Sequence, residues 1–411
     1  MRTTVNPPSH GLAPSSLATL DERLREYVDN GLLPGWQLLV SRHGQVVHHR
    51  SYGMDDRDDT LFRIYSMTKP VTSVAAMILH QEGRFDLTDP LERHLPAFRD
   101  MRIFTGGDAD APVTEPARGP IRIRHLLQHT SGLSYGAFLD HPLDEMYRAR
   151  GLGSPQPPGR DLAELTDAWA GLPLLFEPGS RWNYGVSTDV LGRLIEVVSG
   201  QSLDAFLTER VFAPLGMTDT TFTPTPAQRA RLTRVYAPGE GGGLVERAED
   251  AEDVEDVEDV EDTVLERSGF LCGGGGLLST MADYHRFTQM LLGGGALDGV
   301  RLLERHTVNL MTANHLPGGV DLAQAAVTIP EPGRYDGLGF GLGFSIDLDP
   351  TFRGVTCAPG QYGWSGAAGT TFLVDPHHRL TAVFLTQVLP SPHTAAVRTL
   401  LGRLPHTGLR D

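Results

Sequence analysis

Lysine is almost missing from this chain: Lys69 is the only one among 411 residues, against 34 arginines. Cysteine is nearly as scarce. The pair Cys272 and Cys357 cannot build a disulfide scaffold or a four-cysteine zinc site. The sixteen histidines contain no His-Glu-x-x-His spacing, so no metal and no other cofactor is expected. Positive charge is in deficit, with 35 Lys plus Arg against 51 Asp plus Glu and a formal charge of −16. That balance argues against a nucleic-acid partner. Long apolar runs are absent too. The longest, Val74 to Leu79, falls far short of the ~20 residues that cross a bilayer, so no membrane partner is expected. Met1 to Pro8 hold no apolar stretch of the kind a secretion signal carries, which predicts a cytoplasmic protein.

What is present is globular in character, with 40% hydrophobic and 21% charged residues. The length suggests roughly two to three domains and is ample for a core without staples. The acidic excess is concentrated: residues 249–262 read EDAEDVEDVEDVED, ten carboxylates and no base. Valine recurs there too sparsely to bury anything and like charges repel, so a disordered surface insertion is expected. A calcium loop is the rival, but the run lacks the glycine-turned loop of an EF-hand.

Arginine can take over most lysine duties but cannot lose its proton in a protein. A chain that keeps one lysine therefore points to a need for a deprotonatable amine. Lys69 follows Ser66 by three residues, in Ser66-Met67-Thr68-Lys69. Val71, Val74, Ala75, Ile78 and Leu79 fall at i, i+3, i+4, i+7 and i+8 and predict a helix over 66–82, stopped by Gly83. On that helix Ser66 and Lys69 lie about 60° apart, outside the apolar stripe and at its start. A serine hydroxyl becomes a nucleophile only beside a base, and a neutral lysine one turn away can serve. Bringing the amine from ~10.4 to ~7–8 needs roughly 3–4 kcal/mol. Burial and the positive helix end both act in that direction. The alternative is a helix cap with a snorkelling surface lysine.

Elsewhere, Leu17, Leu20, Leu24 and Val28 predict a helix over 16–31, and Trp36–Ser41 with Gln45–Tyr52 reads as a hairpin. A short helical piece is expected at 123–129 in a Pro- and Gly-rich stretch, then helices at 188–199, 203–213 and 280–292. Strands follow at 370–374 and 380–386, and a last helix at about 393–403. Strands at both ends with helices between them predict an α+β fold. Residues 1–85 and 268–411 would make the sheet domain, with a mainly helical domain, 86–267, inserted.

The stretch from Leu61 through Ser66-Met67-Thr68-Lys69 to Pro70 resembles the serine β-lactamase-like superfamily, in its class C branch. Further matches run in order: Leu126 to Leu133, Pro178 to Val186, Gly276 to Thr280, and Gly363 to Thr370. The resemblance covers roughly residues 15–405. It implies an antiparallel sheet flanked by helices, with Ser66 acylated and Lys69 its helper. It implies that Tyr184 matches the tyrosine of the Tyr-x-Asn motif and relays a proton to the leaving group. It sets Trp364-Ser365-Gly366 where the Lys-Thr-Gly strand motif stands. The backbone N–H of Ala367 would then join that of Ser66 in an oxyanion hole. Tyr135 is expected against the acyl pocket.

Two positions depart from that pattern. Val186 stands for the Asn of Tyr-x-Asn, and Trp364 for the Lys of Lys-Thr-Gly. The family's lactamases and peptidases use those polar groups to hold an amide and a carboxylate, whereas an aromatic at 364 suits a neutral, apolar substrate. The motifs are most similar to those of family VIII carboxylesterases, which implies hydrolysis of short-chain, small-molecule esters through an acyl-serine. Acyl transfer, β-lactamase or D-aminopeptidase activity, and a catalytically weak penicillin-binding module are the alternatives. Gly132-Leu133-Ser134-Tyr135-Gly136 matches the G-x-S-x-G elbow of another hydrolase fold, but a helical piece precedes it where a strand is needed.

Overall fold

The computed structural model describes residues 11–54, 57–153, 159–239, 241–247, 270–327, 335–349, 351 and 358–409. The acidic run 249–262 and Cys357 lie outside the described residues.

A seven-stranded antiparallel sheet organises the molecule. Its strands are β1 (Trp36–Arg42), β2 (Gln45–Tyr52), β3 (Leu338–Phe340), β4 (Ser345–Asp347), β5 (Tyr362–Ser365), β6 (Thr371–Asp375) and β7 (Leu380–Leu385). Their order across the sheet is β3-β4-β5-β6-β7-β1-β2. The hairpin at the start of the chain therefore pairs with the last strand, Gln37 opposite Leu385 through Arg42 opposite Leu380. Because successive side chains alternate between faces, the strands β1, β6 and β7 feed two cores. Leu38, Val40, Ala382 and Phe384 pack on one face with Leu17, Leu20 and Leu24 of α1 (Pro14–Asp29) and with Val397 and Leu401 near the C-terminus. Leu39, Val383 and Leu385 join the larger core on the other face. A strand buried on both sides reads as a near-continuous apolar run, as Leu380–Leu385 does apart from Thr381.

The predicted helix at 66–82 has two parts. Tyr65–Met67 forms a single 3₁₀ turn, and α2 (Thr68–Gln81) follows. Every residue of α2 from Thr68 to Leu79 is buried, so the helix is wrapped on all sides rather than amphipathic. It packs against α5 (Ser187–Ser199), which ends at Gly200 with φ 75°, a left-handed cap that suits glycine. Two helices not expected from the sequence precede α5: α3 (Pro142–Ala149) and α4 (Leu162–Ala170). A hairpin of Arg102–Gly107 with Pro112–Pro116 was also not expected. The 203–213 helix is interrupted, with a π-helical turn at Thr208–Phe212. Helix α6 (Met281–Leu292) lies on the larger core's side of β6 and β7, and α7 (Thr394–Thr407) packs beside α1. Among the described residues no helix is long and apolar enough to cross a membrane.

Candidate active site

The 3₁₀ turn presents Ser66, half exposed, at the floor of a cavity of about 540 Å³. Tyr65, just before it, has φ 43°, an uncommon conformation for a non-glycine residue. Its ring is buried against Val235, Ala368 and Leu389, which holds that conformation in place. The turn is anchored from three sides. Tyr284 of α6 donates its hydroxyl to the Met67 carbonyl at 2.9 Å, Leu277 N–H donates to Thr68 Oγ1 at 3.1 Å, and Thr72 Oγ1 donates to the Gly273 carbonyl at 2.7 Å.

Lys69 is 2% exposed, which removes the snorkelling alternative. Its amine donates to Ser66 Oγ at 3.2 Å, to the Tyr135 hydroxyl at 2.8 Å and to the Gly274 carbonyl at 2.6 Å. It also lies 4.7 Å from the centre of the Tyr184 ring, within cation–π range. The Tyr184 hydroxyl meets Trp364 Nε1 at 3.4 Å. His129 packs at a tilt against Tyr184, 4.9 Å between ring centres. Burial and the nearby Lys69 charge push its pKa well below the usual imidazole range, so it stays neutral.

Strand β5 brings Trp364 and Ser365 to the same cavity, and Gly366 and Ala367 continue along its wall. Glycine is required at 366. A Cβ there would lie 2.4 Å from the Ile64 carbonyl oxygen and 2.3 Å from Thr370 Oγ1. Only a bare backbone lets the strand end approach the turn that carries Ser66 this closely. Phe138, Trp182, Tyr184, Leu322, Tyr335 and Leu338 supply the apolar wall. A partly exposed serine in contact with a buried lysine thus opens into an aromatic cleft.

The Beta-lactamase family profile matches residues 20–405. The chain belongs to the Beta-lactamase family. It is 36% identical over 389 residues to Protein Rv1367c of Mycobacterium tuberculosis, covering 92% of each chain. It is 30% identical over 419 residues to Esterase EstB of Burkholderia gladioli, covering 96% of this chain and 97% of the relative. Among solved structures it is similar to EstCE1, described as a hydrolase with promiscuous acyltransferase activity. That match has a TM-score of 0.78 and 25% identity, over 95% of this chain and 99% of the other. The α+β fold and the serine-hydrolase class follow from these matches, within a family that includes both hydrolases and acyltransferases.

Against that Beta-lactamase framework the residues singled out from the sequence fall into two groups. Ser66, Tyr184, Trp364, Ser365, Gly366 and Ala367 line one cavity, and Lys69 lies beneath Ser66. Val186 and Tyr135 do not line it. Val186 is fully buried in the core as the residue before α5. Tyr135 is buried too, and its hydroxyl points to Lys69 instead of the acyl space. Ser134, of the decoy elbow, donates to the buried Asp144 carboxylate of α3 at 2.5 Å. The same carboxylate accepts the Leu139 N–H at 2.9 Å. Ser134 thus fastens the loop that carries Tyr135. Two residues were missed altogether: Gly274, whose carbonyl takes the lysine bond, and Asp189 behind it. An acidic residue among the buried positions of an amphipathic helix was the available signal for Asp189. Among the described residues, one three-residue group outside the cavity has metal-ligand types: Asp375, His378 and His406. There a single carboxylate oxygen meets His378 Nδ1 at 2.7 Å and His406 Nε2 at 2.6 Å. Those hydrogen bonds tie α7 to the β6–β7 turn.

Proposed function

We propose that this protein is a serine esterase acting on small, neutral, short-chain carboxylic esters. The observation that carries this reading is the 3.2 Å contact between the Lys69 amine and Ser66 Oγ at the floor of an aromatic cleft. The Ser66 oxygen attacks the ester carbonyl carbon as Lys69 accepts its proton. The backbone N–H groups of Ser66 and Ala367 receive the oxyanion. The intermediate collapses, the C–O bond to the alcohol breaks, and the leaving oxygen takes the proton through a tyrosine hydroxyl. Water repeats the sequence on the acyl-serine and releases the acid. Two tyrosines can carry the proton: Tyr135, bonded to the amine, and Tyr184, which faces the cavity.

The name of Esterase EstB supports hydrolysis. The acyltransferase activity ascribed to EstCE1 supports a second outcome, in which an alcohol replaces water in the second half. Both share one acyl-enzyme. Treatment with a fluorophosphonate, followed by intact mass and peptide mapping, tests the reading: one adduct on Ser66 is expected. An adduct on Ser134, or none on the folded protein, would overturn it.

A further inference from the structure

The shortest hydrogen bond of the Lys69 amine, 2.6 Å, goes to the Gly274 carbonyl. A carbonyl can only accept, so this bond persists whether the amine is charged or neutral. Gly274 sits in a turn closed by the Gly275 and Gly276 N–H groups on the Cys272 carbonyl, at 3.1 and 2.8 Å. What fixes the turn against the body of the protein is Asp189, in the first turn of α5. Its Oδ1 accepts the Gly274 N–H at 2.9 Å and the Cys272 thiol at 3.2 Å. The fit is close: a Cβ on Gly274 would stand 2.6 Å from Asp189 Oδ2.

Asp189 is 1% exposed, and among the described residues its Oδ2 has no hydrogen-bond partner. Burying an ionised carboxylate with one oxygen unpartnered is costly. Holding the Gly274 N–H needs only an acceptor, and an asparagine oxygen would serve at less cost. What favours the ionised form here is the nearby Lys69 charge. Burial is the larger effect and holds the Asp189 carboxyl above its ordinary 3.8, while the Lys69 charge and the Gly274 and Cys272 hydrogen bonds offset part of that rise. The other titratable groups around the amine are Tyr135, Tyr184, His129 and, through Asp189, the Cys272 thiol.

We propose that Asp189 is a positioning residue for the catalytic amine, fixing the Gly274 peptide that receives Lys69 and supplying the buried negative charge that steadies its ammonium form. This rests on the reading of Lys69 as the base for Ser66. Asp189→Asn keeps the acceptor and deletes the charge, so it separates the two roles. Without the charge the ammonium loses its proton more readily. The acid limb of the pH profile for fluorophosphonate labelling of Ser66 should then move to lower pH by about one unit or more.

The test is that profile for wild type, Asp189→Asn and Gly274→Ala, each checked for folding by thermal unfolding. Gly274→Ala pushes the turn off the carboxylate and should slow labelling at least tenfold at neutral pH, with ester KM changed less than kcat. An Asp189→Asn profile superimposable on wild type would overturn the electrostatic role. A folded Gly274→Ala protein labelled at the wild-type rate would overturn the positioning role, and it remains decisive if Asp189→Asn does not fold. Wild-type protein that takes no label on Ser66 would mean that the esterase reading has failed, which is a separate outcome.

Discussion

The hydroxyl of Tyr135 stands 2.8 Å from the Lys69 amine, closer than the Ser66 oxygen at 3.2 Å. Tyr184 presents its ring face to that amine and turns its hydroxyl toward Trp364. The lysine therefore lies between two phenols with different contacts. One can exchange a proton with it directly, and the other faces the substrate space.

Replacing each phenol by phenylalanine separates these roles. Tyr135→Phe removes the hydroxyl bonded to the amine and should lower kcat by ~10²-fold or more, the usual range for a proton-transfer group. Tyr184→Phe should be similarly impaired if the leaving oxygen takes its proton there. Steady-state kinetics on p-nitrophenyl butyrate will show which loss is larger. A Tyr135→Phe enzyme within threefold of wild type would assign the relay to Tyr184 alone.

Lys69→Arg should be as inactive as Lys69→Ala. The guanidinium keeps the charge but does not give up its proton at any working pH. Circular dichroism should report a folded protein in both cases. More than about a tenth of wild-type activity in the arginine variant would make the role of Lys69 electrostatic.

Short activated esters should be far better substrates than β-lactams. A β-lactam carries a carboxylate, and seating a charge against Trp364, Tyr184 and Leu338 without a partner costs several kcal/mol. Arg398 does line the far side of the cavity, where it donates to Ser345 Oγ. It is the group that could soften this penalty. The check is kcat/KM on p-nitrophenyl butyrate beside nitrocefin, in wild type and Arg398→Ala. Equal efficiency on both substrates would refute the argument from Trp364.

Asp375 should give the fold an acid-sensitive joint. Burial raises its carboxyl, but hydrogen bonds from His406 and His378 outweigh that and hold it at about 2, below the ordinary 3.8. Because the folded value is the lower one, the unfolded chain takes up the proton first as pH falls. The contribution, roughly 2 kcal/mol, is complete above about pH 4 and is lost between about pH 4 and 2. Urea unfolding across that window should show a steeper loss for wild type than for Asp375→Asn.

The sequence foretold the parts of the fold that rest on periodicity or on strong stop signals. Trp36–Arg42, Gln45–Tyr52 and α6 lie within a residue or so of the expected spans. The helices α3 and α4 went unread because eight or nine residues hold little more than two turns of pattern. The capping box of Asp161 with Glu164 was there to be noticed. Strands β3 and β4 have three residues each, too few to show alternation. Ser66 and Lys69 were legible because both lie within one turn of chain. Tyr135 reaches Lys69 from 66 positions away only because Asp144 pins its loop, and no local spacing encodes that. Asp189 was hidden for the same reason, since its partner Gly274 is 85 positions distant.

Gly366 has a consequence for when the cleft is completed. Its backbone lies against Ile64, and Thr370 Oγ1 donates to the Ile64 carbonyl across 306 positions of sequence. A ribosome that has made Ser66 and Lys69 has yet to make the strand end that completes the cleft. The nascent chain thus carries Ser66 with half of its surroundings missing. The cleft around Ser66 is therefore complete only once the last strands of the sheet have been synthesised and have paired.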